Sequence, residues 1–546
     1  MTDPAKKPFA ITLDPGSSLA NHTGTWRTMR PVYVDRLPPC NNACPAGENI
    51  QGWLYHAEEG NYEQAWRTLT FDTPFPAVMG RVCYHPCESA CNRAALDQTV
   101  NIHAVERFLG ELAIEKGWQF DRSPSTGQRV AVVGAGPSGL SASYHLMKLG
   151  HQVTLFDAGP RLGGMMRFGI PKYRLSRDIL DAEIQRIVNL GVEVRLNTAV
   201  KDVEALFAEE GFAAVFLAIG AHIGKRTEIP AKDTGKILDA VTLLQQMELG
   251  EERPQIGRRV AVYGGGNTAM DVARTAKRLG AEEAMIIYRR DREHMPAHDF
   301  EAEEALEEGV VINWLRTITQ IDGDELTVEV MELDEHGRPQ PTGQTETLAA
   351  DSLILALGQN VDSEFLKSCP GVVVRPDGIV DVGPNMMTGR QGLFAGGDMV
   401  PADRTVTTAV GHGKLAARNV DAFLRGETYQ HPERSGLATA ERLNPWYYSD
   451  ASRSTQAVLS ASRRVTGFEE YTAGLTEETA KFEARRCLSC GNCFECDNCY
   501  GVCPDNAVIK LGPGNRYQFN LDYCKGCGIC AEECPCGAID MVSEVK

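Results

Sequence analysis

The stretch RVAVVGAGPSG, Arg129 to Gly139, decides the fold. A short apolar run, Arg129 to Val133, reads as a strand, and the pattern from about Ser138 to Leu149 reads as a helix. Between them lies Gly134-Ala135-Gly136-Pro137-Ser138-Gly139. Gly134 permits the tight turn, Gly136 lets the backbone approach a pyrophosphate, and Gly139 lets the helix pack close to the strand. Pro137 and Ser138 complete the loop at a helix N-terminus that faces the phosphate charge. A second strand, Gln152 to Phe156, ends on Asp157, about twenty residues on, where an acid should hold a ribose hydroxyl. A lone glycine pattern is often only a turn. Strand, helix and acid together make this one a dinucleotide site.

The same unit recurs downstream. Val260 to Tyr263 is the strand, Gly264-Gly265-Gly266-Asn267-Thr268-Ala269 the fingerprint, Thr268 to Leu279 the helix and Ala284 to Tyr288 the next strand. Where the ribose-binding acid is expected stand Arg289 and Arg290. An arginine pair there could neutralise a 2′-phosphate, which favours NADP(H) over NAD(H), or it could be solvated at a strand end. A further strand and glycine turn, Leu393 to Asp398, precedes a helix from about Thr407 to Phe423 that carries Gly411 and Gly413.

This arrangement resembles the two-dinucleotide-domain flavoprotein reductases. The resemblance implies FAD in the first unit, contacts from Gly397, Asp398 and Thr405, and an NAD(P) domain inserted in a discontinuous FAD domain. Phe216 to Gly220 and Leu355 to Gly358 match that group's paired crossings between domains. Several stretches point to a narrower family. They are Gly163-Gly164-Met165-Met166-Arg167-Phe168-Gly169-Ile170-Pro171, Gly264 to Asp271, Tyr288-Arg289-Arg290 with Met295-Pro296, and Gly80-Arg81-Val82-Cys83 with Pro86-Cys87-Glu88. Together they are similar to the small (beta) subunit of NADPH-dependent glutamate synthase. Its relatives include the reductase half of dihydropyrimidine dehydrogenase and the large subunit of bifurcating NADH-dependent ferredoxin:NADP oxidoreductase. The resemblance covers about 36–428 and adds Gly164, Arg167 and Asp271 to the cofactor-binding candidates.

The chain has seventeen cysteines and a formal net charge of -18. That charge argues against a nucleic-acid surface and matches anionic membranes poorly. No apolar run approaches the ~20 residues that span a bilayer, and Met1 to Gly16 lacks an apolar signal-type stretch, so the expected location is cytoplasmic. Repeated Cys-x2-Cys spacing in such a chain reads as cluster ligation. The tail holds Cys493-x2-Cys496-x2-Cys499-x3-Cys503-Pro504 and Cys524-x2-Cys527-x2-Cys530-x3-Cys534-Pro535, the bacterial two-cluster ferredoxin run twice over. The fourth cysteine of each run should ligate the other cluster. One set is then Cys493, Cys496, Cys499 and Cys534, and the other Cys524, Cys527, Cys530 and Cys503. Zinc is the competing reading, disfavoured by two complete runs ending in Cys-Pro.

At the N-terminus the family string is Cys-x2-Cys-x4-Cys-x3-Cys-Pro, and only its second half is present, as Cys40-x3-Cys44-Pro45. The resemblance implies one cluster on Cys44, Cys83 and Cys87 with Glu106 as a non-cysteine ligand. Cys40 and Cys91 then lack two partners. Arg486-Cys487-Leu488-Ser489-Cys490-Gly491 looks like the missing half, displaced to the far end of the chain. Folding back, Cys487 and Cys490 would complete a fourth cluster. The alternative is three clusters and idle cysteines. Cys369 and Cys536 are expected to be structural thiols.

The expected architecture is α/β: two Rossmann-like dinucleotide-binding domains, an N-terminal helical iron–sulfur domain and a C-terminal bacterial-ferredoxin-like domain. The divisions fall at 1–125 (iron–sulfur), 126–244 with 361–428 (FAD), 245–360 (NAD(P)), 429–486 (connector) and 487–546 (ferredoxin-like). Residues 1–35 are expected to be an irregular arm. The expected activity is NAD(P)H-linked electron transfer through FAD and clusters. A thioredoxin-reductase-like reading fails, because Asn92 to Ser368 holds no cysteine to form a redox pair. A non-catalytic scaffold with degenerate nucleotide sites is disfavoured by the intact fingerprints. The expected partner is a separate oxidoreductase subunit or soluble ferredoxin. The tail resembles the ferredoxin subunit of 2-oxoacid:ferredoxin oxidoreductases, so a 2-oxoacid complex comes first and glutamate synthase second.

Overall fold

Strand Arg129–Val133 lies at the centre of a five-stranded parallel sheet. The order is Leu393–Ala395, Ala214–Leu217, Arg129–Val133, Gln152–Phe156, Glu193–Arg195. This is a computed structural model, and it describes residues 22–25, 27–225, 227, 229–230, 236–250 and 254–544. Helices Pro137–Lys148 and Val406–Leu424 pack against each other on this sheet. Gly413 makes the approach possible, since a Cβ there would stand 2.3 Å from the carbonyl oxygen of Ser138.

The second parallel sheet runs Val310–Trp314, Glu283–Tyr288, Arg259–Tyr263, Ser352–Leu355, Lys236–Asp239. Its last strand and the helix Ala240–Leu249 begin upstream of residue 245, where the sequence places the boundary. The chain changes sheets earlier, at Ile223–Gly224, which pairs antiparallel with the return pass Gln359–Asn360. A three-stranded antiparallel sheet, Arg316–Asp322, Glu325–Leu333 and Pro339–Ala349, covers this domain through Ile318, Ile321, Leu326 and Val328.

The N-terminal helices Ile50–Glu58, Tyr62–Thr70, Pro76–Val82 and Ile102–Glu115 enclose Trp53 and Trp66. Helix Glu477–Arg485, from the expected connector, closes the same core with Leu475, Ala480 and Ala484. The expected irregular arm is only partly described, since residues 1–21 lie outside the described residues. Within it Met29–Tyr33 is a strand, paired antiparallel with Ile539–Ser543 at the other end of the chain. Arg27 pairs with Glu544 at 2.7 Å beside that ribbon. No helix among the described residues is long and apolar enough to cross a membrane.

Candidate functional site

The first loop is shaped by backbone geometry that only glycine tolerates. Gly134 has φ +104°, and a Cβ on it would meet the Ala218 oxygen at 2.3 Å. Pro137 opens the helix. The nearest atom to a Cβ on Gly136 is Gly164 Cα at 3.9 Å, so the loop's middle faces open space. The Ser138 hydroxyl is buried with no partner among the described residues. Such an orphaned donor beside an open glycine face fits a pyrophosphate. The Asp157 carboxylate braces the loop, accepting from the N–H groups of Ala135 and Gly159, each at 2.7 Å. Burial raises its pKa.

The turn at Gly397 lies against this loop, where a Cβ would press Ser138 Cβ at 3.1 Å. The Gly397 N–H donates to His412 Nδ1 at 3.1 Å. Burial pushes the next carboxyl, Asp398, up to about 6. Thr405 caps helix Val406–Leu424, accepting from the Thr408 N–H at 3.1 Å. Arg167 is buried in ion pairs with Asp181 and Glu248, and so ties this segment to helix Ala240–Leu249.

In the second loop Gly264 has φ +146°, and a Cβ there would stand 2.3 Å from the Ala356 oxygen. A Cβ on Gly266 would meet nothing within 4 Å, so the loop's backbone is open to approach there. The Asn267 amide donates to the Tyr84 hydroxyl at 2.6 Å and accepts from the His298 N–H at 3.2 Å. Thr268 accepts from Gln359 at 3.4 Å. Asp271 is buried against Arg174 at 2.9 Å. Its charge is compensated inside the protein, between this helix and the segment after the first loop. Arg289 is exposed and has no carboxylate partner among the described residues, and Arg290 Nε is unpartnered.

None of the seventeen cysteines forms a disulfide. Cys40 and Cys91 line one cavity with Cys487 and Cys490, beside Leu54, Ile102 and Leu488. Burial raises the Cys40 thiol pKa, and Cys487, Cys91 and Cys490 add to the rise. Cys44, Cys83 and Cys87 line a second cavity with Glu106 and Glu48. Cys503, Cys524, Cys527 and Cys530 line a third. Burial pushes Cys499 up to about 12, helped by its neighbours Cys493, Cys496 and Cys534. Crowded buried thiols resist ionisation in one another's presence. A cationic iron–sulfide core reverses that cost, so the donor sets fit clusters. Glu106 is buried, with one carboxyl oxygen lacking a partner among the described residues.

Arg486 locks the far end of the chain in place. It is 2% exposed and donates to the carbonyls of Ala451, Thr99 and Gln98 at 3.0, 3.0 and 2.6 Å. It also pairs with Glu483 at 2.9 Å and Asp97 at 3.3 Å. Spacing rules did not mark four other groups. Glu48 shares the second cavity, Thr407 donates to Cys83 Sγ at 3.0 Å, the Tyr33 hydroxyl lies 3.3 Å from Cys499 Sγ, and Cys536 Sγ lies 3.7 Å from Cys534 Sγ. Only the position of Cys536 beside a Cys-Pro could have drawn attention in the sequence.

Comparison with known proteins agrees with this geometry. The family described as dihydropyrimidine dehydrogenase domain II, 4Fe-4S cluster, matches residues 32–118, and the 4Fe-4S binding domain matches 517–540. An NAD(P)-binding Rossmann-like domain matches 132–176, and the pyridine nucleotide-disulphide oxidoreductase family matches 208–413. The small chain of glutamate synthase [NADPH] of Escherichia coli is 32% identical over 421 residues, 71% of this chain and 89% of that one. The chain belongs to the glutamate synthase small-chain family. Other relatives match it over more of its length. Subunit beta of the NADP(+)-dependent formate dehydrogenase of Moorella thermoacetica is 35% identical over 498 residues, 83% of this chain and 70% of that one. Subunit beta of the NADPH-Fe(3+) oxidoreductase of Geobacter sulfurreducens is 31% identical over 516 residues, 84% of this chain and 76% of that one. The chain is an oxidoreductase with FAD/NAD(P)-binding Rossmann domains between 4Fe-4S domains.

Proposed function

We propose that this oxidoreductase moves electrons between NADP(H) and a partner subunit, with FAD on the Gly134–Gly139 loop and four [4Fe-4S] clusters. The observation that carries the reading is the cavity where Cys40 and Cys91 meet Cys487 and Cys490. When bound, flavin supplies the exchange between a nicotinamide hydride and single electrons that clusters accept.

The chain's own contribution is placement. Gly134, Gly136, Ser138, Gly139, Gly397 and Asp398 surround the proposed flavin site. Gly264, Gly266, Asn267 and Thr268 surround the nucleotide, with Arg289 and Arg290 meeting a 2′-phosphate. Thr407, on a helix of the flavin sheet, touches the Cys44, Cys83, Cys87 and Glu106 set through Cys83. Cys40 and Cys44 share one short segment, and so do Cys87 and Cys91, which sets the first two groups side by side. Cys490 precedes Cys493 by a single turn, and the two tail sets share one fold. A continuous series from flavin to tail is the arrangement an electron relay needs.

Relatives named as beta subunits or small chains support a partner subunit for this chain too. The ferredoxin-like tail makes a 2-oxoacid:acceptor oxidoreductase complex the finer reading, with glutamate synthase second and a cytoplasmic setting for either. We divide the chain as the sequence does, with the NAD(P) domain extended upstream to Lys236. Anaerobic protein should show flavin absorbance that NADPH bleaches at lower concentration than NADH. A flavin that neither nucleotide reduces rejects the proposal, and co-purification of the native partner tests the complex.

A further inference from the structure

The C-terminal unit repeats its own sequence. Cys493 to Pro504 and Cys524 to Pro535 have the same cysteine spacing. The backbone repeats too: the Ala507 N–H donates to Cys503 Sγ at 3.2 Å, as the Ala538 N–H does to Cys534 Sγ at 3.3 Å. Two clusters in such matched settings would be equally easy to reduce, and the side chains break the match. Tyr33, arriving from the N-terminal strand, places its hydroxyl 3.3 Å from Cys499 Sγ and stacks on Phe519 at 4.8 Å. Cys530, the counterpart of Cys499, has no hydroxyl donor of this kind among the described residues. The residue two beyond the Cys-Pro cysteine differs as well. In the second run it is Cys536, buried with Sγ 3.7 Å from Cys534 Sγ. In the first it is Asp505, whose carboxylate lies 3.6 Å from Lys525 Nζ.

Cluster ligands are thiolates and carry no proton. In both sulfur contacts the donor must therefore be the other partner, the Tyr33 hydroxyl and the Cys536 thiol. Hydrogen bonds to ligand sulfur stabilise the extra negative charge of the reduced cluster and raise its potential. We propose that Tyr33 and Cys536 are positioning residues that make the cluster on Cys493, Cys496, Cys499 and Cys534 the more readily reduced of the tail pair. This rests on reading the tail as cluster-bearing. That cluster is the one next to Cys490, so an electron shared by the pair resides on the inner side. The N-terminal arm, by carrying Tyr33, sets that preference from the opposite end of the chain.

The test is an EPR-monitored redox titration of the full chain, prepared anaerobically, with iron and sulfide measured on every sample. Wild-type protein should reduce its two tail clusters in separate steps. Tyr33→Phe and Cys536→Ala should each lower only the higher step. The reduced-to-oxidised ratio at fixed poise should fall roughly tenfold, 59 mV for a one-electron couple. Cys536→Ser keeps a donor and should move the step less than Cys536→Ala does. If Tyr33→Phe loses iron, the Cys536 pair decides alone. Steps that stay in place in iron-replete variants, or that shift equally, overturn the inference and leave the cluster reading intact. Wild-type protein without labile sulfide in the tail overturns both.

Discussion

Replacing Arg486 with methionine should cost the protein one cluster and spare the others. The side chain is 2% exposed and satisfies three carbonyls, from Ala451, Thr99 and Gln98, as well as Glu483 and Asp97. Methionine fills the volume but donates nothing. Breaking a buried ion pair costs about 3–5 kcal/mol. The lower end applies here. Asp97 keeps both hydrogen bonds from Arg93, and Glu483 keeps the N–H groups of Asn101 and Ser454. A loss of about 3 kcal/mol makes local opening of this segment roughly 150-fold more frequent, at 1.4 kcal/mol per tenfold. Cys487 follows directly in the chain, so the opened state withdraws Cys487 and Cys490 from Cys40 and Cys91. Arg486→Met should retain its flavin and lose about four iron atoms per chain. Hydrogen exchange should speed up over residues 483–491. Full iron content with unchanged exchange there would refute the reasoning.

Gly134→Ala forces a side chain into φ +104° and 2.3 Å from the Ala218 oxygen, a strain of about 1–3 kcal/mol. It should abolish flavin content while iron content holds, as absorbance and metal analysis of one sample will show. Asp398, pushed up to about 6 by burial, starts from about 3.9 when unfolded. In flavin-free protein its contribution is fully present below pH ~4 and is lost as pH rises toward ~6, a fall of roughly 2–3 kcal/mol. Denaturation midpoints across that range should fall with rising pH in the wild type and fall less steeply in Asp398→Asn, in which burial still raises the Glu48, Glu58 and Glu183 carboxyls. Arg289→Ala should raise the KM for NADPH by roughly tenfold and leave that for NADH unchanged, since only the phosphate loses a charged partner. Equal effects on both nucleotides would place Arg289 outside the 2′-phosphate site.

What the sequence disclosed and what it concealed separate by the range of the interaction. Both Rossmann units were legible because strand, turn and helix follow one another within a few residues, and each glycine has a local reason. Strand Arg129–Val133 and helix Pro137–Lys148 fall within a residue or two of their expected limits. The strand Met29–Tyr33 was not legible. It holds a proline, and its partner, Ile539–Ser543, is at the other end of the chain. Lys236–Asp239 is too short to announce itself, and it earns its place in the second sheet only through pairing with Ser352–Leu355. Arg167 and Asp271 were legible as cofactor-binding candidates through the family motifs, but a sequence does not show that Glu248 and Arg174 pair with them. The meeting of Cys40 and Cys91 with Cys487 and Cys490 was legible only as half of a family string missing from one end and standing at the other. Tyr33 and Thr407 touch cysteines through distant elements and left no local pattern.

Iron, acid-labile sulfide and flavin measured together on anaerobically purified full-length protein bear most directly on the relay. Four clusters on the sixteen-ligand arrangement described above require about sixteen iron atoms and an equal amount of sulfide for each FAD. A value near twelve would leave Cys40, Cys91, Cys487 and Cys490 without a cluster and contradict the continuous series from flavin to tail.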